Sequence, residues 1–557
     1  MSENFKNLGK HIASNWQAGL TVSMINIPLS ISLAVASGGT PIQGIITGIW
    51  STIFAAIFAS SKHNVFGVAG ALASIVLSFV LANGANGIYL IPLLSIISGV
   101  IMLIIYFLNI TKYITLIPSS VLHGFLMSVG ISIALTQING ALGLNTPELN
   151  IPQHKEIYLN LWETFKHIGS ISIPTIVTFI LGLGAILFSK KKFPNFPIVI
   201  VVCIVGIFIG FLSEWGYIPN LLLLKDKYAD LQFAMFINPF EGIEIKNLND
   251  IITLIKPLLV TSFTIAIIAI LETIISAKIA EKITKKSFDK NKEVFGLSLS
   301  NIASGLTGGM PVSAVFIRTA LNIKSGGNHK MAAFLIGIFT LLISALLFNG
   351  FFKFIPFPII SAILMSIALG LIDINLLKKI YRLERKAFYI VIITIILAVF
   401  EEPIYGILAG TAISLLIFLK GVYKSKPIVN IFRDKKFFRK MPLKQYIHEQ
   451  EKNDIIVVKL PWGLNYINIE NYISEIKKIE AGESLIISFA SLGDIDIDGL
   501  EVLEEIIEEV EAKNIKVYFS GVEGDIEDTL SKLHIYQHMK KNNQIFPSTS
   551  YALQVIL

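Results

Sequence analysis

The sequence predicts a polytopic α-helical membrane protein with a small α/β domain toward its C-terminal end. Three observations carry this reading. Hydrophobic residues make up 53% of the 557 residues and charged residues 15%, whereas a soluble domain has about 25% charged residues. The apolar residues gather in runs that match the roughly 20 residues a helix needs to cross a hydrocarbon core. Near Asp454 the pattern changes to alternating strand and helix periods. With a single cysteine, Cys203, the chain can form neither an intrachain disulfide nor a multi-cysteine metal site. The net charge of +7 is unevenly spread: residues 451–540 hold 19 acidic and 8 basic residues, so the positive excess lies between the apolar runs. That pattern is membrane topology rather than a nucleic-acid-binding face.

Fourteen candidate spans follow, near 16–36, 41–60, 65–82, 88–109, 113–138, 172–189, 194–213, 255–281, 293–308, 311–325, 331–352, 354–373, 385–401 and 404–422. The first is too long for a signal-peptide core and lacks a small-residue cleavage pattern, so no cleaved signal is expected. With the N-terminus inside, the basic clusters fall on one face: Lys62, Lys112, Lys190–Lys192, Lys282–Lys292, Lys324 with Lys330, Lys378–Lys386, and Lys420–Lys444 after the last span. The opposite loops, such as Glu214–Asp250 and Glu401-Glu402, are neutral or acidic. Both termini are therefore expected to be cytoplasmic and the protein to sit in the inner (plasma) membrane.

Fourteen divides into seven and seven, and an odd half makes the two halves inverted repeats, a plan that places a substrate at the midplane between interrupted helices. The third span of each half is short and follows a glycine-rich stretch, Val65–Ala71 in one and Gly305–Ala314 in the other. Two half-helices there would aim their N-termini at each other, and free N–H groups with positive dipole ends suit an anion. Small residues that let helices pack closely would read the same way at either stretch alone; the matching positions, with Pro311 suited to a first turn, favour a site.

Charges inside spans are costly and usually functional. Glu272 lies near the middle of the eighth span, with Ser276 one turn on. A carboxylate with a hydroxyl suits a proton or a hard cation such as Na⁺; a structural pair with a neighbouring helix is the alternative. Arg318, about two turns into the tenth span, either supplies positive potential to an anion or binds a carboxylate or helix C-terminus. His123, Asn26, Gln137 and Asn139 are read as packing residues.

The tail reads as strands at 454–460, 484–489 and 515–520 with helices near 469–479, 498–510 and 525–534, a small α/β domain. The turn Asp494–Gly499 reads as a helix N-cap with dipole-favoured acidic residues. The expected domains are a transport domain at 1–425, a basic linker at 426–450 and a cytoplasmic domain at 451–557. The chain shows no catalytic cluster, phosphate loop or metal spacing, so neither an enzyme nor a cofactor is expected.

These residues resemble the SulP family of sulfate-permease-like anion transporters. The carrying stretches are Gly19–Ala34, Gly67–Ala71, Glu272 with Ser276-Ala277, Asn301–Pro311 and Arg318–Gly327, followed by a domain similar to STAS domains. The resemblance implies seven-plus-seven inverted repeats. It also implies that a core of spans 1–4 and 8–11 moves against a gate of spans 5–7 and 12–14, and that relatives are commonly homodimers. The anion would sit between spans 1, 3, 8 and 10, with Leu29 and Leu33 on span 1. Backbone N–H donors would come from Ala69, Gly70 and Ala71 and from Ser313, Ala314, Val315 and Phe316. The Ser313 hydroxyl and Arg318 would lie nearby, and Na⁺ or H⁺ would couple at Glu272. Val68 stands where proline is frequent in the family. Asp496-Ile497-Asp498-Gly499 replaces the Asp-Ser-Ser-Gly of STAS regulators, which removes the phosphorylatable serine. Expected substrates are sulfate, bicarbonate, chloride or dicarboxylates. A nucleobase-type symporter shares the membrane architecture but not the tail; an anion channel or a membrane scaffold is the reading from another class.

Overall fold

In a computed structural model, which describes every residue except 1, 115–116, 145–148, 150, 152–153, 155, 194–195, 229–231, 241–247, 402, 425–426 and 461, a helix occupies each predicted stretch. Glu402, parts of the 214–250 loop and Lys426 lie outside the described residues. The first half runs α1 (Ser2–Ala36), α2 (Pro41–Phe58), β1 (Phe66–Val68) into α3 (Gly70–Ala82), α4 (Gly87–Phe107), α5 (Ser119–Thr136), α6 (Ile173–Lys192) and α7 (Ile198–Glu214). The second runs α8 (Leu248–Thr284), α9 (Lys290–Leu306), β2 (Val312–Ala314) into α10 (Phe316–Lys324), α11 (Lys330–Leu347), α12 (Phe357–Leu371), α13 (Arg385–Phe400) and α14 (Pro403–Tyr423). Among the described residues, nine helical stretches (α1, α2, α4, α5, α6, α8, α11, α12 with its continuation to Leu383, and α14) are long and apolar enough to cross a membrane. Helices α3 and α10, of 13 and 9 residues, reach only about 20 and 14 Å at 1.5 Å per residue.

Local sequence explains the polar cases. Helix α2 starts on a capping box in which Thr40 Oγ1 accepts from Gln43 N at 3.1 Å and Gln43 Oε1 from Thr40 N at 2.9 Å, with Pro41 in the first turn. Its Thr47, Ser51 and Thr52 hydroxyls donate to the carbonyls of Gln43, Thr47 and Gly48. A polar stripe inside an apolar helix is thereby satisfied without leaving the helix.

The helices pack in two sets. In one, α2 and α4 lie on α9, α1 on α2 and α11, and α8 on α3, α4 and α10; in the other, α12 lies on α5 and α6, α5 on α13, and α6 on α7. Small residues bring the axes together. A Cβ on Gly99 of α4 would lie 2.8 Å from Ser298 O of α9, and one on Gly130 of α5 2.8 Å from Ala368 O of α12. The sets meet where α1 touches α7 and α12 and where α3 touches α5. The division is the one that the family resemblance implies for core and gate.

The chain divides into two compact units, Met1–Thr411 and Ala412–Leu557. The second holds a six-stranded sheet in the order β10-β9-β7-β5-β3-β4, built from β3 (Ile428–Arg433), β4 (Lys436–Pro442), β5 (Ile455–Lys459), β7 (Ser484–Ser488), β9 (Lys516–Ser520) and β10 (Ile545–Phe546). Strands β6 (Trp462–Leu464) and β8 (Leu492–Ile495) pair separately. Neighbours from β5 to β10 are parallel, whereas β3 runs antiparallel to both β4 and β5. Helices α15 (Ile469–Ile476), α16 (Ile497–Glu511), α17 (Asp525–Leu530) and α18 (His534–Lys541) cover one face through Ile476, Leu503, Ile507 and Leu530; α19 (Thr549–Ile556) packs on the other through Ala552.

One expectation is corrected here. Residues 428–442, taken as a basic linker, form the β3–β4 hairpin, and Val429, Ile431 and Met441 are buried in the sheet core. Strand β4 is exposed at every position except Met441, so its lysines and arginine leave no period of two to read. Asp434 and Lys435, with φ of 50° and 61°, make the turn with left-handed backbone at both central positions that such a hairpin requires.

Candidate functional site

The glycine-rich stretches meet. Strands β1 and β2 pair antiparallel, with Phe66 opposite Ala314, Gly67 opposite Ser313 and Val68 opposite Val312. Each strand feeds a helix that leaves the ladder in the opposite direction, so the N-termini of α3 and α10 both lie at the crossing. Their first-turn N–H groups, including those of Gly70, Ala71, Phe316 and Ile317, have no intrahelical acceptor.

The crossing is held by polar side chains from four surrounding helices. Asn301 of α9 clamps Val312, accepting from its N–H at 2.9 Å and donating to its carbonyl at 3.1 Å. Thr273 of α8 accepts from Ala314 N at 3.0 Å, and Thr47 of α2 from Met310 N at 2.8 Å. Thr52 donates to Phe66 O at 2.8 Å, and Thr319 of α10 accepts from Val65 N at 3.2 Å. The polar stripe of α2 thus grips both crossing segments.

Glu272 of α8 is half-buried, and its Oε2 accepts from the Ser313 hydroxyl at 2.5 Å. Arg318, only 1% exposed, donates through Nη2 to Ser30 Oγ at 3.4 Å, and its Nη1 has no hydrogen-bond partner among the described residues. That nitrogen lies against Gly67, where a Cβ would stand 2.0 Å from it. A side chain there would require the Arg318 guanidinium to move. A buried guanidinium with a free N–H, two helix N-termini and a carboxylate wired to the β2 strand therefore share one crossing, an arrangement that can take an anion and a compensating cation or proton.

The expected site residues divide. Ala69, Gly70, Ala71, Ser313, Ala314, Phe316 and Arg318 all lie at the crossing, and Leu33 packs 3.9 Å from where a Gly70 Cβ would stand. Leu29 is buried on α1. Two of the expected backbone donors are occupied, Ala314 N by Thr273 and Val315 N by Val65 O at 3.3 Å. Ser276 does not serve Glu272: its hydroxyl donates to Asn64 Oδ1 at 3.0 Å and Thr319 Oγ1 at 3.1 Å. Asn26 and Gln137 have packing partners in Thr340 and Ser361.

Sequence reasoning missed Glu293. It is fully buried on α9, and accepts from Ser60 N at 2.8 Å, Ser61 N at 2.6 Å and Asn64 Nδ2 at 2.7 Å. It fixes the 60–64 turn that enters β1. Its position at the first residue of a predicted span, directly before Val294 and Phe295, was the available signal.

The Sulfate permease family model matches residues 12–394, and the STAS domain model residues 446–552. The chain is 23% identical over 538 residues to the putative sulfate transporter YvdB of Bacillus subtilis (strain 168), covering 94% of each chain. It is 21% identical over 546 residues to the bicarbonate transporter BicA of Picosynechococcus sp., covering 95% of this chain and 92% of that one. These relatives are named as transporters, not enzymes. The structure of the murine Slc26a9 anion transporter in the inward-facing state superposes with a TM-score of 0.81 at 15% identity, over 98% of this chain and 91% of that one. The transmembrane domain of a cyanobacterial BicA superposes with a TM-score of 0.60 at 18% identity, over 73% and 97%. By its helical, multi-pass 12–394 region and its C-terminal STAS domain, the chain belongs to the sulfate permease family of anion transporters.

Proposed function

We propose that this protein is a secondary active transporter of a small inorganic or organic anion, of the sulfate, bicarbonate or dicarboxylate class, driven by Na⁺ or H⁺. The anion binds at the β1–β2 crossing, between the first turns of α3 and α10, with Arg318 supplying positive charge. The core α1–α4 and α8–α11 moves against the gate α5–α7 and α12–α14 to give alternating access. All fourteen helical stretches belong to the membrane, both termini are cytoplasmic, and the protein works as a homodimer in the plasma membrane. Its transport domain ends near 425, and its cytoplasmic domain serves assembly or regulation.

The observation that carries this reading is the hydrogen bond from Ser313 Oγ to Glu272 Oε2. Ser313 lies on the strand whose chain continues into the α10 first turn. When Glu272 is ionised, the Ser313 hydroxyl points its hydrogen at the carboxylate. When Glu272 takes a proton or a Na⁺, that hydrogen is released toward the crossing, where an anion can accept it. Cation and anion thus share one hydroxyl, a local device for coupling. The experiment is uptake into proteoliposomes of labelled sulfate, bicarbonate and a dicarboxylate under imposed Na⁺ or pH gradients. Saturable accumulation of one of them, dependent on one gradient, is expected. Uptake that never saturates and ignores both gradients contradicts the proposal and favours a channel.

A further inference from the structure

A second cavity lies away from the crossing. It has a volume of about 340 Å³ and sits between the C-terminal ends of α1 and α3 on one side and α5, α12 and the 157–166 helix on the other. That volume falls in the range of small-molecule sites. Leu77 and Leu81 line it from α3, roughly 10 and 16 Å along the helix axis from Gly70, so it does not overlap the β1–β2 crossing.

Its chemistry is two-sided. Leu77, Leu81 and Ile360 are among its apolar lining, and Gln137, Asn139 and Lys227 among its polar lining. Both amide carbonyls are already taken: Gln137 Oε1 accepts from Ser361 Oγ at 3.3 Å, and Asn139 Oδ1 from Thr164 Oγ1 at 2.5 Å. Gln137 Nε2 donates to Thr136 Oγ1 at 3.2 Å, which leaves Gln137 its second amide hydrogen, and Asn139 its amide hydrogens, to offer a ligand. Lys227 has its Nζ 5.1 Å from the Phe357 ring centroid and no carboxylate within ion-pair distance among the described residues. Among the described residues, no Asp or Glu lines the cavity. A cation with N–H donors suits a negative head group, and the apolar lining suits a hydrocarbon body. A small hydrated inorganic ion meets only half of that surface.

We infer that this cavity is a binding site for an amphipathic organic monoanion, with its carboxylate on Lys227 and the Gln137 and Asn139 amides and its apolar body along α3 and α12. The ligand touches both helix sets at once. On the alternating-access reading above, on which this part rests, it wedges core against gate and slows transport without competing for the crossing.

The test uses the full-length protein in nanodiscs, with Cys203→Ser and a reporter cysteine, Leu81→Cys, modified by N-ethylmaleimide. Phenylpropionate is expected to slow modification about fivefold or more, while neutral phenylpropanol and inorganic sulfate change it by less than about twofold. Lys227→Gln removes the protection and Lys227→Arg retains it. Ile360→Cys serves as a second reporter if Leu81→Cys does not fold. Absent protection in folded protein, equal protection by the alcohol, or undiminished protection in Lys227→Gln overturns the site. None of these readouts needs transport, so a failure of the transport proposal is seen separately. In proteoliposomes that transport, phenylpropionate is expected to lower the maximal rate at unchanged half-saturation. A raised half-saturation with unchanged maximal rate contradicts the wedge and places the compound at the crossing.

Discussion

Glu272 on α8 and Glu293 on α9 are both carboxylates set in the membrane unit, yet they are treated differently by their surroundings. Glu293 is fully buried and takes three donors, two backbone N–H groups and an amide. Glu272 is half-buried and takes one, the Ser313 hydroxyl. The STAS domain repeats the first pattern. Asp454, fully buried, accepts from Arg433 Nε at 2.7 Å, Arg433 Nη2 at 3.1 Å, Tyr446 Oη at 3.1 Å and Glu451 N at 3.1 Å. A buried carboxylate whose lone pairs are filled is a structural fastener; one left with spare acceptor capacity at a strand crossing is available to a mobile cation or proton. Charge inside an apolar span therefore marks function only once its partners are counted.

That contrast can be broken at several points. Gly67→Ala should have the largest effect on activity, because the new Cβ meets Arg318 Nη1 at 2.0 Å; loss of transport by about tenfold or more is expected in protein that still elutes as a single folded species. Glu293→Ala strands the Ser60, Ser61 and Asn64 donors and should lower stability by about 3–5 kcal/mol, read by thermal unfolding in detergent. Filling the crossing with Ala69→Phe or Ala314→Trp should raise the half-saturating anion concentration or stop transport; normal affinity in folded protein would put the anion elsewhere. The mildest change is Asp496→Ala in the STAS domain. It removes the acceptor for Gly499 N at 2.9 Å and Tyr466 N at 3.0 Å and should cost about 1 kcal/mol of that domain's stability, with the choice of anion unchanged.

Much of the fold was legible because a membrane helix announces itself by composition. Residues such as Ile42–Phe58 and Ile88–Phe107 need no partner to be read. The paired glycine-rich stretches also pointed to the crossing, where Gly67 lies opposite Ser313 in the β1–β2 pair. Their supports were not legible. Asn64, Thr273, Asn301 and Thr319 are ordinary polar residues in sequence, and their role exists only where segments 11 to 255 residues apart meet. Ser276 was assigned to Glu272 by helical spacing, but a hydroxyl can turn to either side of its face, and here it turns to Asn64 and Thr319. The β3–β4 hairpin was hidden by its own charge, since Lys436, Arg439 and Lys440 dominate a stretch whose buried residues are few.

The central claim is that Glu272 serves a coupling ion while Glu293 serves the fold. It is tested most directly by measuring gradient-driven anion accumulation in proteoliposomes for Glu272→Gln beside Glu293→Gln, each with its unfolding temperature. The expected result is that Glu272→Gln keeps nearly the wild-type unfolding temperature and loses accumulation, while Glu293→Gln unfolds earlier and its folded fraction still responds to the gradient. Wild-type gradient dependence in folded Glu272→Gln protein would contradict the account.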